Sequence, residues 1–236
     1  MAVDKSETRV RRMFAEIALR YDFLNHLLSF GVDRHWRRQT VRRVPLQGTA
    51  PVLDLCTGTG DLALAYAHRM PLTGSIIGTD FCHEMLTIGR DKASRAGYDG
   101  RLAFIEADAQ RLPFPDDQFQ IVCVAFGLRN ITNTDLGLRE MVRVCQPGGR
   151  VAVLEFSMPR LQPVRGLYRW FFRRVLPRVG QAVSRSPSRA YNYLPESVGE
   201  FPDGEALSAR MQTAGLHRVE FWSLTGGIAT LYVGTK

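Results

Sequence analysis

Short apolar runs alternate with helix-favouring segments through the middle of the chain. The apolar runs suit buried strands, whereas the segments between them carry apolar residues at helical spacing. This alternation predicts an α/β fold with a doubly wound parallel sheet, which binds ligands at the carboxyl ends of its strands. The predicted strands are residues 52–55, 75–80, 102–107, 119–125 and 150–156, and the predicted helices are 62–67, 84–96 and 134–145.

Residues 6–43 are also predicted to be helical, because apolar residues recur at helical spacing from Val10 onward with arginines between them. Two interpretations stay open for this segment. It is either a helical cap packed on an edge of the sheet or a lid over the ligand-binding end. In a lid, Tyr21 and His26 would face the substrate.

The C-terminal part continues the sheet in a different way. A turn at 147–149 is expected before the fifth strand, and Asp203 is expected to cap a helix that stops at Gly215. Residues 217–223 and 228–233 are rich in strand-forming residues and predict an antiparallel hairpin added to the sheet. Such an ending differs from that of most dinucleotide dehydrogenases.

The stretch 51–61, PVLDLCTGTGD, contains two glycines between the first strand and its helix. A strand, a glycine turn and a helix in that order present free backbone N–H groups where a ligand can approach the backbone. Gly58 and Gly60 are therefore predicted to form a loop for a nucleotide-type cofactor. Asp80 ends the second strand twenty residues after Gly60, an offset at which a carboxylate can accept both hydroxyls of a ribose.

The choice of cofactor depends on Asp54. Gly58, Gly60 and Ala63 fit the dinucleotide pattern G-x-G-x-x-[GA], so a nicotinamide-dependent oxidoreductase is one alternative. The Asp54 carboxylate, at the end of the first strand, would repel a pyrophosphate. It would instead attract the cationic amino-acid end of S-adenosylmethionine, which carries no phosphate. Asp108, just past the third strand, is a weaker candidate for contacting the adenine amine.

Composition sets limits on the class of protein. With 236 residues and 45% hydrophobic content, the chain can bury one α/β core with additions. The charged N-terminus lacks an apolar signal segment and the longest apolar runs are too short for a bilayer, so we expect a cytoplasmic protein without a spanning anchor. The four cysteines and five histidines are scattered without metal-ligand spacing, so neither a metal nor a disulfide is expected.

The positive charge is concentrated in one segment. The formal net charge is +8, and residues 158–190 contain eight arginines and no Asp or Glu. Arginines and apolar side chains interleave over 166–178, as in a helix lying on an anionic bilayer, although an amphipathic helix covering an active site has the same pattern. A nucleic-acid methyltransferase would also use positive charge. However, the Asn/Asp-Pro-Pro-aromatic tetrad usual in base-amino methylation is replaced by AFGL at 125–128.

Several motifs resemble one family. They are RYDFLNHLLSFGVDRHWR, VLDLCTGTGDLAL, GTDFCHEML, DAQRLPFPDDQF, AFGLRN, LREMVRVCQPGG, LEFSMP, YNYLPESVGEFPD and LTGGI. From about Val10 to the C-terminus the sequence resembles the menaquinone/ubiquinone C-methyltransferases, the UbiE/MenG family. The resemblance implies a class I S-adenosylmethionine-dependent fold, Rossmann-like and seven-stranded with an antiparallel last strand. It also implies a single methyltransferase domain over 1–236, with a helical cap over 1–46 and a basic amphipathic insertion over 158–200.

The resemblance also assigns a cofactor site. The positions that match S-adenosylmethionine-binding residues of the family are Thr59, Asp80, Asp108 and Ala109, with Asp54, Gly58 and Gly60 lining the loop. One departure from the family pattern is Ala125, where ubiquinone-type bacterial members often carry serine. The missing hydroxyl favours the menaquinone branch slightly.

The implied reaction transfers a methyl group from the sulfonium to a ring carbon of a reduced, prenylated quinone. A phenol titrates at about pH 10, so the site must favour the phenolate with a positive charge or a donor aimed at its oxygen. Arg129, with Asn130, follows the fourth strand and is the leading catalytic candidate. The alternative for Arg129 is a structural ion pair with a loop carboxylate. Tyr191 and Tyr193 are weaker candidates, since a buried tyrosine is more often a satisfied core group.

These inferences predict C-methylation of demethylmenaquinol in menaquinone biosynthesis. The alternatives are the equivalent methylation of a 2-methoxy-6-polyprenyl-1,4-benzoquinol in the ubiquinone pathway, an NAD-dependent oxidoreductase, and a binding-only protein on this fold. The predicted partners are the prenylated quinol and an anionic membrane, contacted peripherally through 158–190, with no nucleic acid. A homodimer is left open.

Overall fold

The computed structural model describes residues 3–71, 74–160, 162–176, 178, 180–181 and 190–236. The strands are β1 (Val52–Leu55), β2 (Ile76–Asp80), β3 (Leu102–Glu106), β4 (Phe119–Ala125), β5 (Cys145–Phe156), β6 (His217–Leu224) and β7 (Ala229–Thr235). The helices are α1 (Glu7–Leu28), α2 (Val32–Arg43), α3 (Asp61–Ala67), α4 (His83–Arg95), α5 (Thr134–Val144), α6 (Val164–Trp170), α7 (Ala190–Glu200) and α8 (Glu205–Thr213). A π-helical turn, Phe171–Val175, continues α6.

All seven strands form one sheet in the order β3-β2-β1-β4-β5-β7-β6. Strands β1 to β5 pair in parallel, whereas β7 runs antiparallel between β5 and β6. The predicted seven-stranded sheet with an antiparallel last strand is confirmed, as is the C-terminal hairpin. The order of the strands reverses between β1 and β4, and open α/β sheets bind ligands at such a crevice.

Helices cover both faces of the sheet, which explains the apolar runs. Every residue of β1 is buried, and β4 is buried from 119 to 124. One face packs against α3 side chains such as Leu62, and the other packs against α5 side chains such as Leu138. A strand buried on both faces needs a continuous apolar run instead of alternation.

The N-terminal helix packs on the insertion as well as on α4. Val10, Ile17 and Leu24 of α1 share a buried cluster with Tyr168 and Phe172. We call α6 and the π-helical turn after it, residues 164–175, the α6 segment. The two helical additions thus support each other above the carboxyl ends of the strands. This arrangement favours the lid over the edge cap as the interpretation of α1.

Strand β5 begins earlier than the turn at 147–149 led us to expect. Cys145 already pairs with Phe119, and a register shift follows before Arg150 pairs with Ile121. The turn is therefore accommodated inside the strand as an irregularity of the β4–β5 pairing.

The expected cap of α8 is wrong. The residue that precedes the helix is Gly204, and Asp203 instead accepts a hydrogen bond at Oδ2 from the Met158 N–H at 3.2 Å. The Asp203 carboxylate therefore does not cap the helix. It joins the segment before α8 to Met158 at the start of the insertion, because the Met158 N–H lies within hydrogen-bond distance in the folded chain.

Candidate active site

The glycine loop between β1 and α3 requires backbone conformations that few residues adopt. Gly58 and Gly60 have φ angles of +57° and +82°, and Cys56 has a φ of +48°. A Cβ at Gly60 would lie 2.7 Å from Cζ of Phe104. Glycine is therefore needed at this position for its backbone angle and for space.

Asp54 lies beneath this loop. Its Oδ2 accepts hydrogen bonds from Thr57 Oγ1 at 2.6 Å and from the Ala63 N–H at 3.1 Å, which ties β1 to the first turn of α3. Burial raises the pKa of Asp54 to about 7. The carboxylate does not reach the described wall of a narrow cleft that opens at the carboxyl ends of the central strands. It supports the loop in this structure, and its direct contact with a cofactor stays a prediction.

Asp80 faces the same loop from the end of β2. Its Oδ2 accepts a hydrogen bond from the Gly58 N–H and its Oδ1 accepts one from the Cys82 N–H, both at 2.9 Å. Burial raises the pKa of Asp80 to about 6. Because this side chain also lines the cleft, it connects the glycine loop to the space that a ligand would enter.

A narrow cleft of about 60 Å³ opens at the carboxyl ends of the central strands. The predicted cofactor residues on its wall are Gly58, Asp80, Asp108 and Ala109, and those off it are Asp54, Thr59 and Gly60. Its charged side chains are Glu7, Asp80 and Asp108, with no Lys or Arg among the described lining residues. Three carboxylates without a cation suit a ligand that carries positive charge and no phosphate.

Thr59 is held by the N-terminal helix. Its Oγ1 donates to Asp22 Oδ1 at 2.5 Å. Lys92 Nζ of α4 lies 2.7 Å from Asp22 Oδ2 and 2.5 Å from Asp61 Oδ1. These partly buried charges join α1, the glycine loop and α4, so they hold α1 over the cleft.

His26 belongs to a second group of polar side chains, with Asp33 and Arg37. Its Nδ1 lies 2.8 Å from Asp33 Oδ2, which also binds Arg37 Nη1 at 2.5 Å. Within the described chain, His26, Asp33 and Asp61 bring three potential metal-ligand atoms within 4.8 Å of one another. Arg37 already supplies positive charge to both carboxylates. His26 is absent from the described wall of the cleft, so its contact with the substrate stays a prediction, whereas Tyr21 does line the cleft.

A larger cavity of about 500 Å³ adjoins the cleft. The two spaces share Phe14, Tyr21 and Phe126 as a common wall. Phe126 leaves β4 with a φ of +59°, and its ring centroid lies 4.4 Å from that of Phe156. Most of the remaining wall is aromatic or aliphatic and comes from α1, α2 and the α6 segment. The cavity therefore suits a large apolar ligand.

Arg129 is fixed at the wall of this cavity and is 6% exposed. Its Nη1 donates to Glu155 Oε2 at 3.0 Å and to the Phe126 carbonyl, and its backbone N–H donates to Glu155 Oε1 at 3.2 Å. Its buried Nε has no hydrogen-bond partner. The sequence left a structural ion pair as an alternative for Arg129. Such a pair is present, although its carboxylate belongs to a strand and not to a loop, and the guanidinium keeps an unpaired donor at Nε.

Asn130 connects the cleft to the cavity. Asn130 lines the cleft, and its Oδ1 accepts a hydrogen bond at 3.1 Å from the hydroxyl of Tyr193, which lines the cavity. Tyr191 belongs to α7, but its side chain lies outside the described residues. Sequence reasoning missed Glu155, although a carboxylate within the apolar run of the fifth strand was a visible signal. It also missed Glu7, for which the sequence carries no such signal.

The larger cavity reaches the surface at an apolar patch that we call the mouth face. It consists of Phe30, Leu167 and Trp170, which line the cavity and are 82%, 67% and 58% exposed. Arg165 and Arg169 are exposed on α6 beside them. Over the part of the chain that the structure describes, no helix has the length and apolarity to cross a membrane.

Solved structures with the same fold include methyltransferases. One from Thermotoga maritima, described as an S-adenosylmethionine-dependent methyltransferase and possible histamine N-methyltransferase, has a TM-score of 0.66 at 17% identity, covering 95% of this chain and 98% of that chain. An S-adenosylmethionine-dependent methyltransferase from Aquifex aeolicus has a TM-score of 0.62 at 16% identity, covering 84% and 88%. This chain shares with them the class I, Rossmann-like fold of S-adenosylmethionine-dependent methyltransferases.

Sequence comparison narrows the class to a family. The model of the ubiE/COQ5 methyltransferase family matches residues 2–236. The "Ubiquinone/menaquinone biosynthesis C-methyltransferase UbiE" of Geobacter sp. (strain M21) is 45% identical over 235 residues, which cover 100% of this chain and 99% of that protein. The chain belongs to the ubiE/COQ5 methyltransferase family. It is a C-methyltransferase that takes its methyl group from S-adenosylmethionine, and the nicotinamide-dependent alternative is without support.

Proposed function

We propose that this enzyme methylates a ring carbon of a prenylated 1,4-quinol, specifically demethylmenaquinol. The observation that carries the proposal is the apolar cavity beside the cleft, where Arg129 offers a buried Nε without a partner. An aromatic ring with an isoprenoid chain needs an apolar space of this kind, and a ring hydroxyl would satisfy the donor. The relatives' names, which refer to ubiquinone and menaquinone biosynthesis, support the same substrate class.

Ala125 supports the menaquinone branch. It lines the cleft, so a hydroxyl at this position would lie in the cofactor space. The chain differs here from ubiquinone-type bacterial members, which often carry serine, and this difference slightly favours the naphthoquinol over the benzoquinol.

When bound, S-adenosylmethionine supplies an electrophilic methyl group. Gly58 and Asp80 would hold it from the glycine loop and β2, with the Asp80 carboxylate accepting the ribose hydroxyls. Asp108 and Ala109 would hold it from the segment after β3. Thr59, Gly60 and Asp54 would act through the loop that they shape and brace.

Arg129 would stabilise the phenolate form of the substrate. A phenol ordinarily titrates at about pH 10, and the adjacent ring carbon becomes a good nucleophile only as that proton leaves to a water molecule. Glu155 already balances the charge of Arg129. The contribution of Arg129 is therefore a rigid hydrogen-bond donor in a largely apolar cavity instead of a net positive charge. Asn130, held by Tyr193, would act from the cleft side, and Tyr191 stays a prediction.

An assay with labelled S-adenosylmethionine and two reduced substrates tests this function. We expect methylated product, identified by mass, from a prenylated naphthalene-1,4-diol and much less from a prenylated methoxybenzene-1,4-diol. The reason is the departure at Ala125 from the ubiquinone-type pattern. Preferential methylation of the benzoquinol would select the ubiquinone-pathway alternative, and no product from either ring would contradict the proposed function.

We also propose that the mouth face rests on an anionic bilayer. Phe30, Leu167 and Trp170 surround an opening into the cavity, and the segment 158–190 that carries two of them contains eight arginines and no acidic residue. Exposed aromatics among arginines complement a membrane with anionic headgroups. An isoprenoid tail could pass from such a membrane into the cavity without crossing water.

Vesicle flotation tests the docking proposal. At low ionic strength we expect the protein to float with anionic vesicles and much less with zwitterionic ones, because apolar insertion and charge both contribute. Trp170→Glu should abolish flotation. Ile105→Glu, which changes an exposed apolar residue on β3, serves as the matched control and should float like the wild type. Protein that stays unbound with anionic vesicles at low salt would argue against docking.

A further inference from the structure

Tyr168 carries a buried hydroxyl with no partner in the larger cavity. The residue lies on α6 and is 8% exposed, its ring stacks on Phe172 at a centroid distance of 4.8 Å, and its hydroxyl has no hydrogen bond. A phenylalanine would make the same stack without leaving a polar atom unpaired. The hydroxyl is therefore unexplained by packing.

The hydroxyl of Tyr168 has a counterpart in Arg129. Of the described side chains that line the cavity, these two hold a buried nitrogen or oxygen without a partner, namely Tyr168 Oη and Arg129 Nε. They come from different elements, since Tyr168 belongs to the insertion helix and Arg129 follows β4. Two residues of a largely apolar wall thus each carry a buried polar atom without a partner.

We propose that Tyr168 binds the second oxygen of the 1,4-quinol ring while Arg129 binds the first. This inference rests on the proposed function and adds a specificity-determining residue to it. A 1,4-quinol carries its oxygens at opposite ends of one ring, so a single ligand can satisfy two donors that approach from different elements. Burial raises the pKa of the Tyr168 hydroxyl, which keeps it protonated as a donor.

The consequence is a substrate filter at the end of the ring away from the reacting carbon. A ring that lacks the distal oxygen would bury Tyr168 Oη unpaired, and a site built around a hydrogen bond rejects an analogue that cannot make it. An apolar wall alone would accept such a ring.

The test compares wild type and Tyr168→Phe on two substrates with the same short prenyl chain. One is the naphthalene-1,4-diol, and the other is the naphthol that lacks the oxygen distal to the reacting carbon. In the wild type we expect kcat/KM to favour the diol by about 10- to 100-fold. Tyr168→Phe should lower kcat/KM for the diol by a similar factor and leave that for the naphthol unchanged, so that the preference disappears.

Tyr98→Phe, at a tyrosine outside both spaces, is the matched control and should keep the wild-type preference. Binding of S-adenosylmethionine by Tyr168→Phe should equal that of the wild type, which shows that the variant is folded. A wild-type enzyme without preference, or a Tyr168→Phe enzyme that keeps it, overturns the inference. A wild-type enzyme that methylates neither ring overturns the proposed function instead.

Discussion

Turnover of the double variant Arg129→Met, Glu155→Gln is expected to fall about 10²- to 10³-fold, because removal of one fixed donor from a developing oxyanion has an effect of this size. The affinity for S-adenosylmethionine should stay close to that of the wild type, since Arg129 lines the larger cavity and not the cleft. Single-turnover rates measured with the diol substrate, and calorimetric titration with the methyl donor, separate the two effects.

The Glu155→Gln substitution is included so that the variant should stay folded. Glu155 is 1% exposed and its carboxylate is paired with Arg129, so Arg129→Met alone would leave a buried charge without its partner. Breaking a buried pair in this way destabilises a protein by about 3–5 kcal/mol. The double variant removes both charges and should unfold at a temperature much nearer to that of the wild type. A folded double variant with near-normal turnover would remove Arg129 from the mechanism.

Replacing Asp80 by alanine is expected to weaken binding of S-adenosylmethionine by about 100-fold or more. Hydrogen bonds to a charged group contribute about 1.5–3 kcal/mol each, and the variant would lack the two that the Asp80 carboxylate accepts from the ribose hydroxyls. The Gly58 and Cys82 N–H groups would also lose their acceptor. Calorimetric titration measures the affinity. The control is Asp91→Ala, an exposed carboxylate on α4, which should bind like the wild type.

The affinity should also depend on pH through Asp80. Burial raises the pKa of Asp80 to about 6 in the free protein, and a cofactor held by its carboxylate favours the ionised form. Binding of S-adenosylmethionine should therefore weaken as the pH falls through about 6. The Asp80→Asn variant should lose the part of this dependence that centres near pH 6, whereas Asp54, whose pKa burial raises to about 7, is present in both proteins. Equal affinity of the wild type at pH 5 and pH 7.5 would show that the carboxylate does not contact the donor.

The strands of the sheet and its glycine loop could be predicted from the sequence because their causes are local. Residues 119–125 were predicted as a strand, and β4 spans Phe119–Ala125. A strand that is buried on both faces needs a continuous apolar run, and a tight bend before a helix needs glycine. The family was recognisable for the same reason, since its motifs are short contiguous stretches.

The partners of the polar side chains were decided by tertiary structure. Asp54 binds the loop above it. Thr59 donates a hydrogen bond to Asp22, thirty-seven residues away in the chain, and Arg129 is paired with Glu155, twenty-six residues away. A hydrogen bond depends on two atoms lying about 3 Å apart, and for residues so distant in the chain only the packing of α1 and the order of the strands set that distance. The same limit of sequence-based prediction applies to Tyr168. The sequence shows a tyrosine in a basic amphipathic helix, and only the tertiary structure shows that its hydroxyl is buried without a partner.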